Sequence, residues 1–187
     1  MSKVYVFLAE GFEEIEGLTV VDILRRAGVE TEMVSIGEKK SVTGSHGITV
    51  EADLMFAEIA PETCDLYVLP GGMPGTRYLA AHEGLTELLK EEAANGKKLS
   101  AICAAPSVLG GLGLLNGHKA ECYPGFEEKL TGAEVVYEPV VVSGNMTTSR
   151  GMGTAIDFAL ALTAQLVSEE KAEDLAKGII YKLRVKL

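Results

Sequence analysis

An α/β layered domain with a mainly parallel sheet is the fold class this sequence predicts, and three observations predict it. Short apolar runs alternate with longer amphipathic stretches along the chain, the pattern of strands and helices stacked in layers. Two of the apolar runs, "DLYVLPGG" and "KKLSAICAAPS", lead through glycines or small residues into a helical pattern, as strand-to-helix turns do. A chain of 187 residues with 47% hydrophobic content has enough apolar side chains for one good-sized core, so residues 1–187 are read as a single domain.

The elements follow in order. "KVYVFLA" is a first buried strand, and residues 14–27, "EIEGLTVVDILRRA", carry Ile15, Leu18, Val21 and Leu24 at helical spacing and stop before Gly28. "VETEMVSI" is a strand, and "SVTGSHGITVEA" alternates about a central Gly-Ser-His-Gly as a hairpin does. "DLYVLPGG" runs from strand into glycine turn, a long helix is predicted from Thr76 to Ala94, and "KKLSAICAA" is a further buried strand entering the helix "PSVLGGLGLL". "HKAECYP", "AEVVYEP" and "VVVSGNMTTS" read as later strands. "GTAIDFALALTAQLVS" is a strongly apolar closing helix with a shorter polar one behind it. No repeat, linker or low-complexity segment interrupts the pattern.

Charge and composition exclude several functions. A net charge of -10 argues against nucleic-acid and anionic membrane partners, which would repel such a chain. The apolar start "KVYVFLA" is too short for a secretory signal, and no window approaches the roughly 20 apolar residues of a membrane span, so a cytoplasmic protein is expected. The three cysteines, Cys64, Cys103 and Cys122, form no CxxC and have no partnering histidine spacing, so neither a disulfide framework nor a metal site is expected. Neither GxGxxG nor GxxxxGK[ST] occurs, which leaves a nucleotide cofactor without support.

Ligands of open parallel sheets gather at the carboxyl ends of the strands. Three turns therefore compete for attention: "AEGFEEIEG" with carboxylates, "LPGGMPG" with exposed amides, and "AICAAPS" with a thiol. Cys103 lies where a strand passes directly into a helix, the geometry that forces a nucleophile into a strained turn. The flanking Ala101, Ala104 and Ala105 let the backbone bend, and Pro106 suits a first helical turn. The partial charge of a helix N-terminus is expected to lower the thiol pKa below about 8.5. Cys64 and Cys122 lack these features and read as small buried apolar residues. His46, His82 and His118 read as surface residues, so the base for Cys103 is sought among Glu13, Glu14 and Glu16. At least two of these acids have a sufficient role in offsetting the dipole of the first helix, and spacing does not choose among the three. The glycines of "LPGGMPG" suffice for a tight turn; in a functional role the Gly72 and Ala104 amides form a pair of donors for a developing oxyanion.

With these segments assembled, the chain resembles the ThiJ/PfpI superfamily, and within it the branch of the Parkinsonism-associated protein deglycase and its bacterial relatives. "AEGFEEIE", "VDILRRAG", "LPGGMPG", "AICAAPSVL" and "TSRGMGTAIDFALAL" occur in the family's order over nearly the whole chain. The resemblance implies a flavodoxin-like three-layer α/β/α sandwich of the class I glutamine amidotransferase kind, assembled as a homodimer. It places the family's cysteine on Cys103, its proton-sharing acid on Glu16 and its oxyanion amides on Gly72 and Ala104, and matches Arg26 and Arg150 to arginines the family keeps near the site and the dimer interface; Gly71, Arg26, Tyr123 and Arg150 are read as substrate-binding residues at the rim. Two departures matter. Tyr123 stands where family members often have a histidine, which undercuts a Cys-His dyad, and Ala104 stands where the protease-like branch has one, which disfavours a peptidase. The implied activity is cofactor-independent conversion of a small 2-oxoaldehyde to a hydroxy acid, methylglyoxal to lactate, or repair of early glycation adducts. The alternatives are a non-enzymatic oxidative-stress sensor or chaperone acting through oxidation of Cys103, and a fold relative without catalysis.

Overall fold

In the computed structural model, which describes residues 2–182, strand alternation dictates the layers. In β1 (Lys3–Leu8), Val4, Val6 and Leu8 enter one hydrophobic core while Tyr5 and Phe7 enter another, as a period of two requires. Both sets are fully buried, so β1 is covered on both faces. The same division recurs in β6 (Leu66–Leu69), with Leu66 and Val68 opposed to Tyr67 and Leu69, and in β7 (Lys98–Ile102), with Ile102 opposed to Leu99 and Ala101.

These strands belong to a seven-stranded sheet completed by β2 (Glu30–Ser35), β5 (Leu54–Met55), β10 (Val140–Ser143) and β11 (Met146–Ser149). Its order is β10-β11-β7-β6-β1-β2-β5. Every neighbouring pair is parallel except β10 with β11, an edge hairpin turned at Gly144 and Asn145. Helices α1 (Glu14–Arg26), α5 (Ala155–Leu166) and α6 (Glu169–Gly178) supply one core, and α2 (Gly75–Ala81), α3 (Glu83–Ala94) and α4 (Pro106–Gly111) the other. This is the predicted three-layer α/β/α sandwich. A small hairpin, β3 (Ser41–Thr43) with β4 (Thr49–Glu51), stands apart from the main sheet, as the Gly-Ser-His-Gly centre implies. No helix among the described residues is long and apolar enough to cross a membrane.

Several elements differ from expectation for local reasons. The helix predicted over Thr76–Ala94 is two helices, broken at His82, whose ψ of 100° is extended and whose Nδ1 accepts the Leu85 amide at 3.0 Å. A side-chain cap outcompetes continuation of the helix there. Helix α4 stops at Gly111, ahead of Gly113 with its positive φ of 75°. The strands expected in "HKAECYP" and "AEVVYEP" shrink to β8 (Lys119–Ala120) and β9 (Glu134–Val135), a parallel pair outside the main sheet, and Cys122 lies beyond β8 rather than within a strand. "VVVSGNMTTS" holds two strands, β10 and β11, rather than one.

Candidate active site

Three loops converge at the carboxyl edge of the sheet, after the neighbouring strands β1, β6 and β7. Cys103 follows β7 with φ 65°, a left-handed conformation that costs a non-glycine residue about 1–2 kcal/mol. Its backbone is held from both sides: its N–H donates to the Ser149 carbonyl at 2.9 Å, and its carbonyl accepts the Tyr123 N–H at 2.7 Å. These bonds to β11 and to the segment after β8 hold the strained turn in place.

Gly71 and Gly72 close the site for different reasons. A Cβ on Gly71 would lie 2.6 Å from the Cys103 Cβ and 2.6 Å from Glu16 Oε2, so the absence of a side chain is what lets thiol and carboxyl approach. Gly72 has φ 92°, and a Cβ there would press on the backbone between Gly11 and Glu13. The chain is thus free to carry its amides past the sulfur.

The three acids at the start of α1 separate into three tasks. Glu13 is the N-cap, accepting the Ile15 amide at 3.4 Å. Glu14 clips the β3–β4 hairpin to the helix, accepting the amides of His46 at 2.8 Å and Ile48 at 3.3 Å and facing His46 Nδ1 at 3.0 Å. Glu16, 1% exposed, points into the site, where Oε2 accepts the Gly71 amide at 2.9 Å and the carboxyl meets the Cys103 thiol.

Burial pushes the Glu16 carboxyl from 4.5 up to about 7, against the pull of the Cys103 thiol and the Gly71 amide; Glu13 adds to the rise and the Met152 amide opposes it. Burial and the adjacent Glu16 push the Cys103 thiol up to about 12, and the amides of Ala104 and Gly72 only partly offset them. The expected lowering by a helix N-terminus is therefore corrected. Helix α4 begins at Pro106, beyond Cys103, and its six residues form a short helix whose end does not outweigh desolvation and a neighbouring carboxylate. Glu16 and Cys103 titrate as a pair: with Glu16 protonated, the like charge that opposes a thiolate is gone and a donor stands in its place.

The other expected residues divide. Tyr123 is half exposed and its ring borders Gly151, where a Cβ would sit 3.4 Å from the ring and 3.9 Å from Glu16 Oε1; it belongs to the mouth of the site. Arg150, next after β11, lies with its guanidinium 5.6 Å from the centroid of the Tyr137 ring. Arg26 does not join them. It pairs with Asp22 at 2.8 Å at the far end of α1, ten residues and about 15 Å of helix from Glu16, and lines a surface groove with Ile15 and Ile48 instead.

Cys64 and Cys122 are buried, and burial pushes both thiols up to about 11. Ser149 and Glu121 were missed by sequence reasoning. Ser149 acts through its backbone carbonyl, which no residue type signals, and Glu121 is a polar residue in a short apolar run. Its carboxyl is buried with no hydrogen-bond partner and is pushed by burial up to about 8, with Arg150 pulling it down. Among the described residues, Glu13, Glu14 and His46 bring metal-type donor atoms within 4.8 Å of one another, but they already satisfy one another as hydrogen-bonded partners.

Comparison with known proteins places the chain in a family. The chain is 37% identical over 182 residues to "Protein DJ-1 homolog B" of Arabidopsis thaliana, covering 96% of this chain but only 42% of that one, so it spans less than half of that relative's length. It is 35% identical over 153 residues to a protein named deglycase from Pyrococcus abyssi, covering 81% of this chain and 91% of the relative. The oxidized structure of Toxoplasma gondii DJ-1 superposes with a TM-score of 0.93 at 39% identity, covering 97% of this chain and 99% of that one. Residues 2–165, which hold Glu16, Cys103 and all the turns around them, match the DJ-1/PfpI family, and the chain belongs to that family.

Proposed function

We propose that the protein carries out cysteine-dependent, cofactor-independent carbonyl chemistry on small 2-oxoaldehydes or on their early glycation adducts. The observation that carries this reading is the approach of the buried Glu16 carboxyl and Cys103 across the bare Gly71, where a Cβ would lie 2.6 Å from both, beside the amides of Gly72 and Ala104. The deglycase name of the Pyrococcus relative supports the enzymatic class.

With methylglyoxal, the Cys103 sulfur adds to the aldehyde carbon as the ionised Glu16 takes the thiol proton and hands it to the new oxyanion beside the two amides, which gives the hemithioacetal hydroxyl and leaves Glu16 a carboxylate again. Glu16, as carboxylate, takes the hydrogen from C1 of the hemithioacetal as a proton, giving an enediol, and returns a proton to C2. The aldehyde carbon is oxidised and the ketone carbon reduced, so no external redox partner is needed. The resulting thioester is hydrolysed by one water to lactate and free thiol. A carboxyl near pH 7 suits an acid that must also serve as base. Glycation repair begins with the same attack on an adduct carried by a protein or nucleotide.

Gly71 and Tyr123 shape the substrate space, and Arg150 offers positive charge at its edge. Ile15 and Ile48, each about half exposed, line a groove along α1 with Arg26, and this exposed apolar surface supports the further reading that the protein works as a homodimer in the cytoplasm.

The test is lactate formation from methylglyoxal by purified protein without added thiol or metal, for wild type, Cys103→Ser and Glu16→Gln. Turnover lost in both variants supports the reading; turnover independent of Cys103 overturns it. A second reading, a sensor that responds through oxidation of Cys103, is favoured by the oxidized Toxoplasma relative. Mass measurement of Cys103 after peroxide, in protein that shows no turnover, supports the sensor if sulfinate accumulates.

A further inference from the structure

Strand register sets Arg150 beside the proposed nucleophile. In the parallel ladder of β7 and β11, Ile102 pairs with Ser149, and the Cys103 N–H extends the ladder by donating to the Ser149 carbonyl at 2.9 Å. Cys103 and Arg150 are the next residues on two strands that run about 5 Å apart. From there the Arg150 side chain extends to Tyr137, with its guanidinium 5.6 Å from the ring centroid. That distance is within cation–π range, and a guanidinium resting on a ring keeps its N–H edge free for a planar acceptor.

The charge on this arm is unmatched. Arg25 lies 2.6 Å from the Asp53 carboxylate and Arg26 2.8 Å from that of Asp22, whereas Arg150 has neither an ion pair nor a side-chain hydrogen bond among the described residues. Glu121 is held against the same strand, its N–H donating to Thr148 Oγ1 at 3.0 Å, yet neither of its carboxyl oxygens has a hydrogen-bond partner. It therefore does not take the guanidinium, and its burial favours the uncharged acid. A chain of net charge -10 repels anions except where a cation stands free, and here one stands next to the thiol. The half-exposed ring of Tyr123, bordering Gly151, supplies an apolar wall beside it.

We propose that Arg150, seated on Tyr137, is a specificity-determining residue that binds a carboxylate on the tail of the substrate, so that the preferred substrates are 2-oxoaldehydes carrying a carboxylate a few carbons from the aldehyde. The inference rests on the carbonyl chemistry proposed for Cys103. Methylglyoxal ends in a methyl group and leaves Arg150 without a ligand. A carboxylate in its place accepts two parallel hydrogen bonds from the guanidinium, while the carbon chain lies along the Tyr123 ring.

The probe is 4,5-dioxovalerate, a 2-oxoaldehyde with a carboxylate two methylenes beyond the ketone, compared with its methyl ester, which has the same chain without the charge. The reaction set out above takes up one water and converts the acid to 2-hydroxyglutarate. With the full chain, kcat/KM is expected to favour the acid over the ester by about tenfold, the scale of one charge-assisted contact. The preference falls to about one in Arg150→Gln and returns in part in Arg150→Lys, which keeps the charge and loses the fork. A merely structural lesion slows both substrates and leaves their ratio alone. A wild-type ratio of one, or a ratio unchanged in Arg150→Gln, overturns the inference. A second readout does not depend on turnover: 2-hydroxyglutarate should slow alkylation of Cys103 by iodoacetamide, followed by peptide mass, in wild type and not in Arg150→Gln. No protection in wild type, or equal protection in both proteins, overturns the inference as well. Protein inactive on every 2-oxoaldehyde would refute the carbonyl chemistry, and the protection assay would still decide the carboxylate site, so the two failures are distinguishable.

Discussion

Cys64 and Cys103 flank neighbouring parallel strands at opposite edges of the same sheet, and the contrast between them shows what surrounds the proposed nucleophile and is missing around a structural thiol. Cys64 precedes β6 at the amino edge, fully buried, with an ordinary extended backbone (φ -88°, ψ 141°) and its thiol 3.2 Å from the Leu66 carbonyl. Cys103 follows β7 at the carboxyl edge, part-exposed, at φ 65°, facing a buried acid and two backbone amides. Burial raises the proton affinity of both thiols. What differs is the proton's destination: Cys64 has a carbonyl, which cannot take it, and Cys103 has Glu16, which can. The reactivity proposed for Cys103 therefore rests on its partner and its turn, not on an intrinsically acidic thiol.

The strongest way to break this contrast is to exchange each sulfur for oxygen. Cys103→Ser is expected to reduce lactate formation to the level of buffer alone, because a serine hydroxyl beside Glu16 has far too little alkoxide to attack. Cys64→Ser should leave turnover unchanged and lower stability by about 1 kcal/mol, read as a shift in the denaturant midpoint. Next in size is Glu16→Gln, which keeps the shape of the acid and removes its proton traffic; kcat should fall on the order of 10²- to 10⁴-fold. A Glu16→Gln enzyme as fast as wild type would place the base elsewhere.

A third expectation concerns stability against pH. The folded-state carboxyl of Glu16 is raised from 4.5 to about 7, so the folded protein binds its proton more tightly than the unfolded chain does. Stability from this group is complete below about pH 4.5 and is lost as pH rises through 7. At about 1.4 kcal/mol per pH unit, the loss is at most about 3–4 kcal/mol. Glu121, raised to about 8, acts in the same direction over a window that reaches one unit higher. Urea midpoints measured from pH 4.5 to 8.5 should decline, with Glu16→Gln flattening the part below 7 and Glu121→Gln flattening the part up to 8. A decline unchanged in both variants would assign it to other groups.

How much of this was legible in sequence depended on whether the signal was periodic or spatial. The apolar run "KVYVFLA" and the small-residue turn around Cys103 are local patterns, and both led to the right element and the right edge of the sheet. The break at His82 was hidden because capping competes with helix continuation through one side-chain contact. The direction of the Cys103 shift was misread because a helix end is visible in sequence while burial beside Glu16 is not. The same limitation left Glu13, Glu14 and Glu16 indistinguishable until the hairpin, the cap and the thiol each claimed one. Arg26 matched a family position, but its distance along α1 puts it on another surface of the same chain.

The smallest effect sharpens the comparison of the two edges through their glycines. At the carboxyl edge, Gly71→Ala would bring a methyl group to 2.6 Å from both the Cys103 Cβ and Glu16 Oε2, so thiol and acid must part. Overpacking of this kind costs about 1–3 kcal/mol. Because the displaced groups are the reacting ones, turnover should fall more than stability does. At Gly28, beyond the C-terminal end of α1, an added Cβ meets nothing within 4 Å, and the only penalty is its φ of 83°. Gly28→Ala should therefore lose about 1 kcal/mol and keep full turnover. Denaturant midpoints paired with kcat for the two variants decide the matter: a fall in turnover no larger than the loss of stability predicts for Gly71→Ala would mean that Cys103 and Glu16 do not need their close approach.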